Sequence, residues 1–236
     1  MSTFTAVREQ LGDRFQNYNL EVFKEPRGII RILQLVFSLL TLWILRSYEG
    51  VIDIKYCDES NPSHAVFPVE YPFDLSSLSQ TVSCKNKTNI IISLNNNFSS
   101  EAEFLFTICW VSIVFVLVIA AIYVKYGETY ESNGNLALVD FILSVILAVL
   151  WVACLGAWGY GQSQLKALTT PKFLKENLHY CQDKFFDYIN CIEITRGSVL
   201  GLTTTLILSF LNFFLWAAGL WFLYKETPWY LNFQRT

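Results

Sequence analysis

The chain has 236 residues, 53% of them hydrophobic and only 16% charged, with a formal net charge of −3. A soluble domain carries about a quarter charged residues, so this balance argues against an ordinary soluble globule. The near-neutral charge, with no basic stripe, argues against nucleic acid as a partner. Two histidines, Met1 as the single methionine and no Cys/His cluster leave little raw material for metal or acid–base chemistry, so the chain reads as non-enzymatic, with no cofactor expected.

The missing charge is concentrated in four apolar runs. About 20 mainly apolar residues cross a bilayer's roughly 30 Å of hydrocarbon, and residues 28–46, 103–124, 136–160 and 199–224 read as four such helices. The expected fold is therefore an all-α membrane protein, a four-transmembrane-helix bundle. Residues 1–27 form a polar N-terminal segment with scattered aromatics (Phe15, Tyr18, Phe23), read as a cytosolic tail or a stretch on the membrane surface. Pro26-Arg27-Gly28 punctuates the chain just before the first helix. Arg31 and Gln34 lie inside that run and Arg46 closes it; long arginine side chains near helix ends reach the interface. The run ends in Leu45-Arg46-Ser47-Tyr48-Glu49 without a small-residue cleavage site, so it reads as a retained span and not a signal peptide.

The loop after the first span, 47–102, is long enough to hold structure. Val51-Ile52-Asp53-Ile54-Lys55-Tyr56 alternates with period two, Thr88 to Leu94 is isoleucine-rich, and Val66 to Phe73 offers a third strand. A small β element pinned by a disulfide is expected there. The loop at 161–198 is helical in flavour around Pro171 to Leu178, the connection between spans two and three is short, and 225–236 reads as a short cytosolic tail.

Lysine and arginine counts barely discriminate the two sides, although Lys24, Arg27 and Arg31 beside the first span favour a cytosolic N-terminus. The cysteines are more telling. Of six, Cys57 and Cys84 fall in the first long loop, Cys181 and Cys191 in the second, and Cys109 and Cys154 inside spans. Disulfides persist in oxidising compartments, which places both loops on the luminal side and both termini in the cytosol. Pairing within each loop, Cys57–Cys84 and Cys181–Cys191, is the leading scheme; four cysteines also allow pairing between loops. Asn86-Lys87-Thr88 and Asn97-Phe98-Ser99 are glycosylation sequons in the same loop. Asn86 is the better acceptor, because Asn97 lies close to the bilayer. Cys109 and Cys154 read as small buried hydrophobes.

Polar residues inside the spans read first as structural. Asp140 lies one turn into span three, level with Arg31 and Gln34 of span one if both ends are cytosolic, and an ion pair or hydrogen bond locking these spans is expected. Asn212, near the middle of span four, is expected to bond a neighbouring helix, since an unsatisfied amide is costly there. Glu101 and Glu103 read as solvated caps of span two. Small residues recur at four-residue spacing, as Ala153, Ala157 and Gly161 in span three and as Gly197, Gly201, Thr205 and Ser209 in span four; such stripes let helices approach within a bundle or between copies.

Several motifs in order resemble the synaptophysin family. They are Lys24-Glu25-Pro26 with Gly28, Ile32-Leu33-Gln34, Ser47-Tyr48-Glu49-Gly50, Glu70-Tyr71-Pro72-Phe73 and Ser99-Ser100-Glu101-Ala102-Glu103-Phe104. Further along come Asp140-Phe141, Trp151, Ala157-Trp158, Phe210-Leu211-Asn212 with Trp216, and Lys225-Glu226-Thr227-Pro228-Trp229. The resemblance covers about residues 24–229. It implies a MARVEL-type four-helix bundle of secretory or synaptic-like vesicles. It further implies association with cholesterol, homo-oligomers and a synaptobrevin-like vesicle SNARE as partner, in trafficking and regulated exocytosis. Arg27 and Leu35 depart from the family's usual leucine and tryptophan, and the Gly/Tyr/Pro-rich tail of neuronal members has no counterpart here. Claudins, tetraspanins and connexins fit less well by cysteine placement and loop length. The competing class is an oligomeric channel or transporter-like pore, for which the spans offer only scattered polar groups.

Overall fold

The computed structural model describes residues 20–57, 63–83, 90–132, 134–177, 191–227 and 230. A 3-10 turn over Leu20–Lys24 leads into α1 (Pro26–Arg46); α2 (Ser99–Ser132), α3 (Gly134–Leu168), a short α4 (Pro171–Asn177) and α5 (Leu200–Glu226) follow. Four of these helices are long and apolar enough to cross a membrane: Pro26–Arg46, Ser99–Gly127, Gly134–Leu168 and Leu200–Lys225. Five strands are present among the described residues: β1 (Glu49–Tyr56), β2 (Ser63–Glu70), β3 (Ser79–Val82), β4 (Ile90–Ser93) and β5 (Cys191–Arg196).

The helix ends follow from local chemistry. Pro26 occupies the first turn of α1, where its missing N–H costs nothing, and Gly28 admits the preceding turn: a Cβ there would lie 2.2 Å from the Val22 carbonyl oxygen. The side-chain oxygen of Asn97 accepts the Ser99 N–H at 2.8 Å as α2 begins, and that of Ser198 accepts the Leu200 N–H at 3.2 Å as α5 begins. Thr169 and Thr170 hydroxyls donate to the Leu165 and Lys166 carbonyls at 2.7 and 2.8 Å, closing α3. Three helices overrun the expected spans: α2 continues past Val124 with a break at Tyr126 (φ −126°, ψ 31°), beside Gly127; α3 runs to Leu168; and α5 runs to Glu226. The expected short loop after span two is therefore mostly helical.

The chain divides into two compact units, Met1–Leu40 with Ile108–Ala153 and Leu208–Thr236, and Thr41–Thr107 with Cys154–Ile207. In the first, helical unit, Val22, Ile119, Tyr123, Tyr130 and Ala137 form a buried cluster, flanked by Phe115, Ile122 and Leu136. Elsewhere in the unit the usual polarity is reversed. Arg31, Gln34 and Ser38 of α1 are buried, whereas Ile32, Leu33, Val36 and Leu39 of the same helix face outward. A surface this apolar on every helix requires hydrocarbon around it.

The second, strand-bearing unit holds a three-stranded sheet of order β2-β1-β5 and a two-stranded sheet of β3 and β4. β1 is antiparallel to both neighbours, with Ile52 opposite Phe67 and Ile54 opposite both Ala65 and Ile194. These residues are buried on one face. The other face carries Lys55, bonded to Glu193 at 2.7 Å, and His64, whose Nδ1 is 3.1 Å from both Asp53 oxygens. Edge strand β2 tolerates Pro68. The sheet therefore corrects the sequence expectation in two ways. It recruits β5 from the second long loop, where a helical flavour around Pro171 to Leu178 was read and no strand was expected, and the strand expected over Val66 to Phe73 ends at Glu70.

Candidate functional site: a buried charge cluster in the helical unit

Arg31 is the hub of the helical unit. Its NH2 donates to Asp140 Oδ1 at 2.7 Å and to Ser144 Oγ at 2.9 Å, and its NH1 donates to Gln34 Oε1 at 3.1 Å. The guanidinium carbon lies 5.3 Å from the ring centres of both Phe115 and Trp216, within cation–π range. Asp140 is equally enclosed: Oδ1 also accepts from Ser144 Oγ at 3.2 Å, and Oδ2 accepts from the Tyr130 hydroxyl at 3.1 Å and from the Tyr123 hydroxyl. The two side chains are only 4% and 1% exposed. All four long helices supply groups to this cluster.

The break at Tyr126 completes the arrangement. Residues seven apart in a straight helix stand about 10 Å apart along its axis, yet the Tyr123 and Tyr130 ring centres are 4.8 Å apart. The break folds Tyr130 back so that both hydroxyls reach one carboxylate oxygen. Arg27 caps the pair, its guanidinium carbon 5.4 and 5.8 Å from the two ring centres, while its Nε meets Glu25 at 2.7 Å. Each buried cation thus has its own acid, as burial in hydrocarbon demands. Asp140 has both oxygens engaged, which suits a fixed lock between helices better than a carboxylate that must exchange partners.

Hydroxyls serve two further buried polar groups of this unit. Asn212 Nδ2 donates to Ser38 Oγ at 2.9 Å, and Trp151 Nε1 donates to Ser112 Oγ at 2.9 Å.

In the strand-bearing unit the organising residue is Phe73. Its backbone sits in the left-handed region (φ 68°), held by its N–H donating to Glu70 O at 2.6 Å and by its carbonyl accepting from Phe98 N at 3.1 Å. Its ring is fully buried and lies 5.8, 6.4 and 5.7 Å from the rings of Tyr48, Tyr71 and Trp158. Trp158 Nε1 donates to Thr205 Oγ1 at 3.1 Å, and the Tyr48 hydroxyl donates to the Ser198 carbonyl at 3.1 Å. Burial raises the pKa of Tyr48. Burial, then the Glu103 charge, raises that of Tyr71, against the opposing pull of Arg46, whose guanidinium stacks on the Tyr71 ring at 5.4 Å.

The family model for MARVEL, the membrane-associating domain, matches residues 22–222. The chain belongs to the MARVEL family. It is accordingly a multi-pass membrane protein, and every member of the Arg31–Asp140 cluster lies inside the matched segment. Among the residues expected to act together, Arg31, Gln34 and Asp140 meet, and Asn212 bonds α1. Ser144, Tyr123, Tyr130 and Phe115 complete the cluster without having been singled out, and Trp216, quoted only as part of a motif, joins them. Ser144, one turn after Asp140, carried the one readable signal.

The small-residue stripes are corrected in part. Ala153 is exposed and Ala157 half-buried, so span three does not pack along that whole stripe within the chain. Gly161 does pack: a Cβ there would lie 3.0 Å from Glu101 Cβ, which makes Glu101 a half-buried packing partner and not a fully solvated cap. Gly201 similarly approaches Tyr48, with 3.0 Å to Cδ2. Gly197 is outside α5 altogether and donates its N–H to Val51 O at 2.7 Å, extending the sheet. Cys109 and Cys154 are buried and form no disulfide. Cys57 is disulfide-bonded; Cys84, Cys181 and Asn86 lie outside the described residues. Asn97 is exposed, with its side-chain oxygen engaged at the start of α2.

Proposed function

We propose that this MARVEL protein is a non-enzymatic organiser of secretory or synaptic-like vesicle membranes. In this reading both termini face the cytosol and both long loops face the lumen. The loops are pinned by Cys57–Cys84 and Cys181–Cys191, and Asn86 is the glycosylated sequon. It associates with cholesterol, forms homo-oligomers and pairs with the transmembrane helix of a synaptobrevin-like SNARE during regulated exocytosis.

The observation that carries the reading is the ordered set of synaptophysin-like motifs. Within each unit these motif residues make the contacts that matter: Gln34, Asp140 and Trp216 around Arg31 in one, Tyr48, Tyr71, Phe73 and Trp158 in the other. A charge cluster with its carboxylate fully engaged supports a scaffold role over ion transport. Photo-crosslinking in native vesicles followed by mass spectrometry tests the partner: a synaptobrevin-like SNARE is expected among the adducts, and its reproducible absence sinks the assignment. The pore alternative predicts conductance in reconstituted bilayers that changes with Asp140→Asn.

A further inference from the structure

Arg46 and Glu103 belong to the strand-bearing unit and stand at the ends of two spanning helices. Arg46 is the last residue of α1, and Glu103 lies one turn into α2. The chain between them leaves and re-enters the bilayer on one side, so both side chains lie at the same membrane face. Tyr71 is beside both. The Arg46 guanidinium carbon is 5.4 Å from its ring centre, and its hydroxyl feels the opposed charges of Glu103 and Arg46. The ring is held from the protein side by Phe106 at 5.5 Å and Phe73 at 6.4 Å.

The two charges do not pair. Both side chains are exposed, and among the described residues neither makes an ion pair or a side-chain hydrogen bond, nor does the Tyr71 hydroxyl. Arg31 and Lys55, by contrast, each hold a carboxylate at 2.7 Å. An arginine whose face rests on an aromatic ring has its N–H groups turned outward in the guanidinium plane, where a phosphate accepts two of them side by side. At the end of an apolar span, that plane lies at the depth of the lipid headgroups. Glu103 decides which headgroup. Its carboxylate repels a second negative charge and attracts an ammonium, and a zwitterionic headgroup carries its ammonium one short bridge away from its phosphate.

We propose that Arg46, Tyr71 and Glu103 form a binding site for the headgroup of a zwitterionic phospholipid. The phosphodiester sits on Arg46 and accepts from the Tyr71 hydroxyl, and the ammonium faces Glu103. Burial and the Glu103 charge keep that hydroxyl protonated, as a donor must be. The site requires only that α1 and α2 cross the bilayer; it is independent of which side their joined ends face and of any partner protein.

The test uses the full chain purified in detergent, in buffer free of phosphate, offered phosphatidylethanolamine and phosphatidylglycerol of matched acyl chains in equal amounts. Native mass spectrometry reads the lipid retained. The wild type is expected to prefer phosphatidylethanolamine by about three- to fivefold, the upper range for an exposed charge pair. Glu103→Gln is expected to remove the preference, and Arg46→Gln to weaken retention of both lipids severalfold, with added inorganic phosphate displacing neither. A second measurement fixes the place. In phosphatidylcholine bilayers, lipid 31P is expected to dephase the side-chain signal of 15N-arginine that Arg46→Lys removes, and not that of Arg31, enclosed with Asp140. Retention favouring phosphatidylglycerol, a preference that survives Glu103→Gln, displacement by inorganic phosphate, or no dephasing at Arg46 overturns the proposal.

Discussion

Arg31 and Asp140, 109 positions apart in sequence, meet at 2.7 Å with both side chains almost fully buried. Breaking such a pair leaves one charge uncompensated, at a cost of about 3–5 kcal/mol. Asp140→Asn preserves shape and most hydrogen bonds but removes the charge, so the expected loss is in that range. Replacing both partners together, as Arg31→Met with Asp140→Leu, is expected to cost less than Asp140→Asn alone. Unfolding of purified protein in mixed micelles, titrated with SDS, measures both. A double variant no more stable than the single one contradicts the pairing.

The buried indoles give a finer comparison. Trp151 donates to Ser112, for which no other hydrogen bond is found among the described residues, whereas the Thr205 hydroxyl that accepts from Trp158 also donates to Leu202 O at 2.7 Å. Trp151→Phe therefore strands a hydroxyl and Trp158→Phe does not. Polar bonds between membrane helices average about 0.6 kcal/mol, with a maximum near 1.7. The Trp151 variant is expected toward the upper end of that range and the Trp158 variant toward the lower, measured by the same SDS titration.

These contrasts explain what could be read from the residues alone. Span count, the Arg31–Asp140 pair and the Asn212 bond were legible because an unsatisfied polar group in hydrocarbon has few escapes, and depth along a helix limits its partners. Tyr130 was not legible, since a straight helix keeps it a full two turns from Tyr123 and only the break at Tyr126 brings them together. Strand β5 was missed because Cys191–Arg196 lacks a long alternating pattern and takes its register from the finished edge of β1. Gly197 was misread because four-residue spacing has no meaning once the chain has left the helix.

Phe73 anchors the strand-bearing unit. Truncating a buried phenylalanine costs about 3–5 kcal/mol, and here three aromatic rings lose their common neighbour. Phe73→Ala is expected to fall in that range and to shift Trp158 emission, because the ring packed at 5.7 Å is removed. Unchanged Trp158 emission in a folded variant argues against the contact.

Gly28 permits the close approach of the Leu20–Lys24 turn to α1. Adding a methyl group 2.2 Å from a backbone carbonyl leaves no flexible side chain to give way. Gly28→Ala is therefore expected to undock Val22, now 2% exposed. A cysteine placed at Val22 should react with a thiol reagent severalfold faster in the Gly28→Ala background than with Gly28 intact.

The junction of β5 with β1 is held on its open face by Lys55 and Glu193. The hydrogen bond to Glu193, followed by that carboxylate's charge, raises the pKa of Lys55 above its ordinary value. A raised folded-state pKa means that the stabilising contribution is complete below the unfolded value, about 10.4 for lysine, and fades as pH rises through the higher folded value. The difference in thermal midpoint between the native chain and Lys55→Met should accordingly stay constant from pH 7 to 9 and narrow only above the ordinary lysine range. Because both groups are open to solvent, added salt should shrink the same difference at neutral pH. A difference that instead varied steeply between pH 7 and 9 would place another titrating group at this junction and remove Lys55 from its role.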